Sequence, residues 1–334
     1  MMNKKQPTIV DVAERAQVAV STVSRVLNKT SYTSEATQQK VMKACEELNY
    51  IQNYVAGSLK RKKTGVIALL VPDITNPFWP LIAKGVEEIT KQAGYNLILT
   101  NTDGELEEET NNLDMLLKRR VDGIICATIH DKHEIFEKVK SVVPMVIVGK
   151  VEMDIDMVYV NSIKGGFIGT EYLLNHNHRR IAFIGGPADG VSFKDRIKGY
   201  KTGLESFEIK YDPNLVLVGN SVNYLPSLQE IKELLKQKPT AILCLNDLIA
   251  MKTWTYLEEL GMEVGKDISL MGFDNSPYSE FFKSGLSSIS QPVEERGRIS
   301  AKLVIDRIEN NTEKKFERVI LQPELVIRNS TCRI

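Results

Sequence analysis

Residues 20–28, VSTVSRVLN, read as a helix with two unlike faces: Val23, Val26 and Leu27 share one side, and Ser21, Ser24, Arg25 and Asn28 point away from it. Short polar side chains let a helix approach a nucleic-acid groove closely, and one arginine can donate two parallel hydrogen bonds to the edge of a guanine. Arg25 is therefore the candidate base reader. Any solvated amphipathic helix shows the same polarity, so charge has to decide. Residues 1–63 carry eleven lysines and arginines against five acidic residues, an excess of six; the chain as a whole is neutral, so the remainder is acidic by the same amount. A basic head before an acidic body suits a polyanionic partner for the head alone.

A second set of residues follows the ends of apolar runs. Asn76, Phe78 and Trp79 come after 66–71, Arg196 after 180–186, Asn246 and Asp247 after 241–245, and Asp274 and Gln291 further on. Rings can cover the apolar face of a sugar, aspartate accepts from hydroxyls, arginine donates to them, and asparagine or glutamine does both. Arg196 could equally meet a phosphate or carboxylate. Asp247 is better placed to cap a helix, and Asn161 is as well read as a strand-end structural residue. The glycines at 185, 186 and 190 lack the Lys-Ser/Thr of a phosphate loop. Histidines fall in two pairs, His130/His133 and His176/His178, with too few converging ligands for zinc. The second pair ends a helical run, where a cation suits the dipole. No Ser-His-Asp or paired-carboxylate spacing argues for catalysis, so neither enzyme nor cofactor is expected.

The elements that must position these groups are of two kinds. Residues 8–48 read as three short helices. Thr8 and Asp11 form a capping-box pair, Ile9, Val12, Ala13 and Ala16 share a face, and a break at Gln17-Val18 precedes the reading helix. Ser34 opens the third helix, and Ala36, Val41, Ala44, Cys45 and Leu48 close the core. From Gly65 the pattern becomes apolar runs at 66–71, 97–99, 123–127, 145–148, 181–184, 241–245 and 268–271, each followed by a helical stretch, with a last strand at 319–328. Alternation of strand and helix means parallel sheets covered on both faces. About 270 residues suit two doubly wound lobes rather than one sheet. The expected fold is thus a small all-α helix-turn-helix headpiece plus an α/β two-lobed core. With 43% hydrophobic and 26% charged residues the chain is globular. It shows no membrane-length apolar run and no export signal, so a cytoplasmic protein is expected. Cys45, Cys126, Cys244 and Cys332 are too scattered for a redox or metal site.

Between the two kinds lies 51–63, IQNYVAGSLKRKK. Asn53 could cap a helix carrying Val55 and Leu59 four residues apart. Eight residues fall short of the roughly 12–15 an isolated helix needs, and Gly57 costs about another 1 kcal/mol. Alone the stretch should be coil.

These residues carry a resemblance. The runs 8–28 (TIVDVAERAQVAVSTVSRVLN) and 48–60 (LNYIQNYVAGSLK), then 69–79 (LLVPDITNPFW), 120–123 (RVDG), 178–186 (HRRIAFIGG), 246–247 (ND), 272–275 (GFDN) and 291–292 (QP), resemble the LacI/GalR repressors over essentially the whole chain. The resemblance implies a helix-turn-helix domain at 1–50, a hinge at 51–63, and an effector-binding and dimerisation core at 64–334 like the periplasmic sugar-binding proteins. That core would have one lobe at about 64–161 and 293–321, the other at about 162–291 and 322–334. It implies DNA contacts from Thr8, Val20, Ser21, Thr22, Ser24, Arg25 and Asn28. From a hinge that folds in the minor groove it implies Asn53, Val55, Ala56, Leu59 and Lys60, with Leu59 as the wedge. For the effector it implies Asn76, Phe78, Trp79, Asp103, Arg196, Asn246, Phe273, Asp274 and Gln291. The expected partners are a pseudo-palindromic operator, a sugar, sugar phosphate or sugar acid, and a second copy of the chain. No metal, cofactor or membrane is expected, no heptad tail implies a tetramer, and a protein co-regulator is left open. Gln17 stands where the family commonly has a turn glycine or asparagine, Ala19 where a serine usually caps the reading helix, and Gly57 where a basic or polar residue is frequent. A transport binding protein would instead predict an export signal and no basic head, and a sugar-active enzyme a catalytic constellation.

Overall fold

The structure, a computed structural model, describes residues 7–28, 31–51, 63–130, 134–310 and 315–334. The chain divides into two compact units, Met1–Thr64 and Gly65–Ile334.

The first unit holds α1 (Ile9–Ala16), α2 (Val20–Asn28) and α3 (Glu35–Leu48). The Thr8 side chain accepts from the Asp11 amide, and Asp11 accepts from the Thr8 amide in return, so the capping box is formed. Helix α1 stops at Gln17, whose φ of 55° lets its amide return to Ala13 and Glu14. Ser34 caps α3. Val12, Ala13, Ala16, Val23, Val26, Val41, Ala44 and Cys45 make the core, with Ile9, Leu27 and Leu48 packed against it. Ala36, expected inside, is exposed, because the first turn of α3 faces away from the other two helices.

The second unit contains two six-stranded sheets. The first lobe is built from β1 (Val66–Val71), α4 (Phe78–Gln92), β2 (Asn96–Asn101), α5 (Leu106–Lys118), β3 (Gly123–Cys126), α6 (Glu134–Lys140), β4 (Met145–Val148) and β5 (Asp156–Val160). The second lobe begins with α7 (Ser162–Asn175), β6 (Ile181–Gly185), α8 (Val191–Glu205), β7 (Val216–Val218), α9 (Leu228–Leu235), β8 (Ala241–Cys244) and α10 (Asp247–Glu259). It ends with β9 (Ser269–Asp274), α11 (Pro277–Phe281) and β10 (Ser287–Ser290). The chain then returns through α12 (Val293–Asn310) and β11 (Arg318–Leu321) to the first lobe, and β12 (Glu324–Val326) crosses back. Strand orders are β11-β5-β4-β3-β1-β2 and β12-β10-β9-β8-β6-β7. Every pairing is parallel except β10 with β12. The run 319–328, expected as one strand, is two: Gln322-Pro323 interrupts it, and the second half pairs in the other sheet. Strands β5, β7 and β10 had no signal among the apolar runs. β7 has three residues, and β10 is Ser-Ser-Ile-Ser, whose Ser287 and Ser288 are buried with hydrogen-bond partners.

His178 corrects the expectation of a surface cation. It is fully buried, its ring nitrogens lie 3.0 Å from Thr240 Oγ1 and from the Cys332 carbonyl, and burial lowers its pKa. His176 does end α7, with Nδ1 2.8 Å from the Tyr172 carbonyl.

Glu109 is an anomaly in the first lobe. It lies inside α5 at 2% exposure, and burial pushes its carboxyl up to about 7, against a hydrogen bond with Thr128 that lowers it. The folded protein therefore holds a proton on Glu109 between the ordinary value of 4.5 and about 7, and stability falls as pH rises through that window. Glu109→Gln is expected to raise the melting temperature at about pH 8 and to change it little at about pH 5. A thermal denaturation series across that range checks it, and an equal effect at both ends would disprove the assignment.

Candidate functional site

On the head, α2 turns Val20, Ser21 and Arg25 outward, and Thr22, Ser24 and Asn28 are half-buried at the edges of the same face. Ala19 offers only its carbonyl to the start of the helix, accepting from the Thr22 and Val23 amides at 2.8 and 3.2 Å. Asn28 Nδ2 donates to the Ser24 carbonyl at 2.8 Å, tying the last turn. Thr8, a candidate DNA contact, is the cap of α1 and is exposed. Arg15 and Glu47 pair at 2.5 Å between α1 and α3, an exposed contact worth little. Asn53, Val55, Ala56, Gly57, Leu59 and Lys60 lie outside the described residues.

In the second unit the two lobes enclose a cleft of about 1020 Å³, open solvent at its mouth included. Asn76, Phe78, Trp79, Arg196, Asn246, Asp274 and Gln291 all line it. They converge because each follows the carboxyl end of a parallel strand, where helices begin and ligand crevices form. Asn76 Oδ1 accepts from the Phe78 amide at 3.0 Å and so starts α4. Phe78 and Trp79 meet edge to face with ring centres 4.8 Å apart.

The floor is charged and buried. Arg196 is 7% exposed, donates Nη1 to the Leu245 carbonyl, and lies over the Phe273 ring at 3.6 Å. Its Nη2 is 3.5 Å from Asp274 Oδ1. Gln291 Nε2 donates to the same oxygen at 2.6 Å. Burial pushes the Asp274 carboxyl up to about 7, and the Arg196 guanidinium opposes that. The Asp274 backbone has φ 110° and that of Asn275 has φ 51°, conformations that side chains other than glycine adopt at a cost of about 1–3 kcal/mol.

Three expectations change, those for Phe273, Asp103 and Asp247, while Asn161 keeps a structural role at a strand end. Phe273 does not line the cleft: alternation along β9 turns it into the core of the second lobe, where it backs Arg196. Asp103 is exposed in the turn after β2, φ 51°, accepting from Asn101 Nδ2 at 2.6 Å, and is outside the cleft lining. Asp247 is not the cap of α10. Asn246 is, accepting from the Ile249 amide at 2.9 Å, while Asp247 is 2% exposed one position later. Its oxygens accept from the Ser276 amide, Ser279 Oγ and Ser288 Oγ at 2.7, 2.6 and 2.6 Å. Asn161 caps α7, accepting from the Lys164 amide at 3.0 Å.

The cleft also contains Arg296, Lys150, Asp195, Thr128 and Tyr159, which the strand-end pattern passed over. Arg296 stands on α12, five residues after Gln291 in sequence; seeing it required knowing that this helix returns to the first lobe. It is 8% exposed, donates Nε to the Val158 carbonyl at 3.2 Å, and sits 5.9 Å from the Phe78 ring centre. Burial lowers its pKa to about 10. Among the described residues no cluster of histidine, cysteine or acidic side chains could hold a metal, and no helix is long and apolar enough to cross a membrane.

Residues 8–53 match the family model described as bacterial regulatory proteins, lacI family, and residues 64–329 match that of periplasmic binding proteins and sugar binding domain of LacI family. The chain is 35% identical over 337 residues to the HTH-type transcriptional repressor PurR of Aliivibrio fischeri, covering 97% of this chain and 98% of that one. It superposes on the lac repressor dimer bound to operator and the anti-inducer ONPF with a TM-score of 0.85 at 27% identity, covering 98% of this chain and 100% of that one. It is also similar to a LacI family regulator from Enterococcus faecium with bound ribose, TM-score 0.72 at 32% identity, covering 80% of this chain and 99% of that one.

The Asp247 network yields a stability test. Asp247→Ala leaves three buried donors without an acceptor and is expected to cost about 3 kcal/mol or more. Asn246→Ala, which removes one helix cap, should cost about 1 kcal/mol. Urea denaturation of both variants reads the difference, and equal costs would return Asp247 to the role of a simple helix-start residue.

Proposed function

This chain belongs to the LacI family of bacterial regulatory proteins, and from that premise we propose that it is a DNA-binding transcriptional repressor controlled by a small effector in the cleft. The observation that carries the DNA reading is α2, a short helix whose exposed face joins Arg25 to Ser21 and Val20 on a basic head. Arg25 reads a base edge, Val20 and Ser21 touch neighbouring base edges, and Thr22 and Ser24 fix the helix on phosphates. Thr8 and Asn28 border the same face.

One head buries too little surface for specific affinity, so two copies act together on a pseudo-palindrome. The working division is a head at 1–50, a hinge at 51–63 and a core at 64–334. In the hinge, Asn53, Val55, Ala56, Leu59 and Lys60 meet the centre of the operator. In the cleft, Phe78 and Trp79 cover an apolar face of the effector, and Asn76, Arg196, Asn246, Asp274 and Gln291 supply its hydrogen bonds. Membership of a DNA-binding regulatory family supports the cytoplasm as the site of action. The relatives matched over the whole length are repressors, and no catalytic role is assigned to the cleft.

Sites selected from random duplexes by the full-length protein supply the operator for a direct test. Arg25→Ala is expected to weaken binding to the selected site by about 1–3 kcal/mol and to relax preference at one base pair of each half-site. Fluorescence anisotropy on the parent site and its single-base variants measures both. Undiminished discrimination would remove Arg25 from the reading face.

A further inference from the structure

The two guanidinium groups on the cleft floor are unequally satisfied. Arg196 has the Leu245 carbonyl and Asp274, and only its buried Nε–H finds no acceptor. Arg296 uses Nε on the Val158 carbonyl. Among the described residues no carboxylate lies within ion-pair distance of Arg296, and no protein oxygen accepts from its two terminal nitrogens.

The carboxylates nearby are already engaged. Asp274 is shared by Arg196 and Gln291, Asp247 is filled by three donors, and Asp195 faces Lys150 at 3.5 Å. Asp274 is the carboxylate whose charge acts on Arg296, and Arg196 already pairs with it, so two repelling guanidinium groups share one carboxylate. Arg296 is the less satisfied of the two, 92% removed from solvent, in the first turn of α12 where the helix dipole adds the same sign. A buried charge is costly without a counter-ion. A neutral polyol would fill the free N–H groups but leave two guanidinium charges on the single carboxylate of Asp274. A planar carboxylate or a phosphate matches the guanidinium fork and supplies the missing charge together.

We propose that the effector of this cleft is an oxyanion, a sugar-like molecule whose carboxylate or phosphate group is gripped by the terminal nitrogens of Arg296 while Arg196 Nε donates to another of its oxygens. This rests on the reading of the cleft as the effector site. Arg296 is then a specificity-determining residue, and the ligand supplies the second negative charge.

Calorimetric titration of the full-length protein with matched sets tests it: glucose, gluconate and glucose 6-phosphate; galactose and galacturonate; ribose and ribose 5-phosphate. At least one charged member should bind at least about tenfold more tightly than its neutral parent, and which one separates carboxylate from phosphate. Arg296→Met should abolish that preference, and Arg296→Lys, which keeps charge but not the fork, should lose about tenfold. Without ligand, Arg296→Met should melt at a higher temperature than the parent, because one of two buried guanidinium charges sharing a single carboxylate is gone. A neutral parent that binds as tightly as its charged partner, failure of every charged member to bind, or a lower melting temperature for Arg296→Met overturns the proposal. Phe78→Ala separates the two readings. If it abolishes binding of a neutral sugar that Arg296→Met leaves untouched, the cleft stands and the oxyanion falls. If a charged ligand binds and neither variant weakens it, the cleft reading fails as well.

Discussion

Two helix pairs that meet backbone against backbone hold the cleft in register. In the first lobe a side chain on Gly85 would collide with the Glu294 carbonyl oxygen, and one on Gly297 with that of Ile82. In the second lobe a side chain on Gly166 would collide with the Arg196 carbonyl, and one on Gly199 with that of Ile163. Any Cβ at these positions would push α4 from α12, or α7 from α8. The two arginines of the floor sit at these contacts, Arg296 adjacent to Gly297 and Arg196 against Gly166. Each is also backed by a phenylalanine ring, Phe78 in one lobe and Phe273 in the other. The lobes thus share one arrangement: close approach of two helices sets the backbone beside each arginine, and a phenylalanine ring lies under each guanidinium.

The chain passes between the lobes three times, at 161, at 291–292 and at 322–323. Each crossing is tied into the helices it joins. Asn161 caps α7, Gln291 donates to Asp274, and Gln322 Oε1 accepts from Lys164 Nζ at 3.1 Å. A ligand that engaged Arg296 and Phe78 from one lobe and Arg196 and Asp274 from the other would bridge the two lobes. Such a ligand shifts the population of lobe arrangements by its differential affinity for them. The crossings are where that shift must be absorbed, and Gln291 is at once a crossing residue and a partner of the acceptor on the floor.

How much of this was legible in the sequence depends on how local the determining contact is. The head was readable because its signals act over three or four residues: Thr8 with Asp11, Ser34 with the amide of Thr37, and the apolar spacing of Val12 with Ala16, Val23 with Val26 and Val41 with Ala44. Ala36 misled because composition does not say which face of a first turn looks inward. The cleft residues were readable through one topological regularity, that ligands gather at the carboxyl ends of parallel strands. Phe273 shared that location, but alternation sent it to the opposite side of the strand from Asp274. Asp247 was misread by one position, since Asn246 and Asp247 are both good caps and only the fold reveals the three serine-loop donors waiting for the second. Arg296 was missed for a different reason. It follows no apolar strand run of its own lobe, and its place on the floor depends on the long return of α12, a contact distant in sequence.

The acceptor on the floor shows how strain and rigidity are joined in this site. Asp274 and Asn275 hold positive φ without being glycine, so the turn after β9 does not keep its shape unaided. Its neighbours over-determine it. The Asn275 amide donates to Ser288 Oγ at 3.0 Å, Arg328 Nη2 donates to Asn275 Oδ1 at 2.8 Å, and the next amide, of Ser276, is held by Asp247. Arg328 comes after the third crossing and also donates to the Leu286 carbonyl at 2.7 Å, so β10 and the end of the chain clamp the turn from one side while Asp247 on α10 clamps it from the other. The carboxylate of Asp274 is consequently an acceptor that cannot move to accommodate a ligand. Opposite it stand Arg196, held by the Leu245 carbonyl and by Asp274 itself, and Arg296, held through Nε by the Val158 carbonyl. A ligand of the wrong length or charge in such a cleft would leave buried groups such as Arg196 Nε unpaired, a costly error at positions so far removed from solvent.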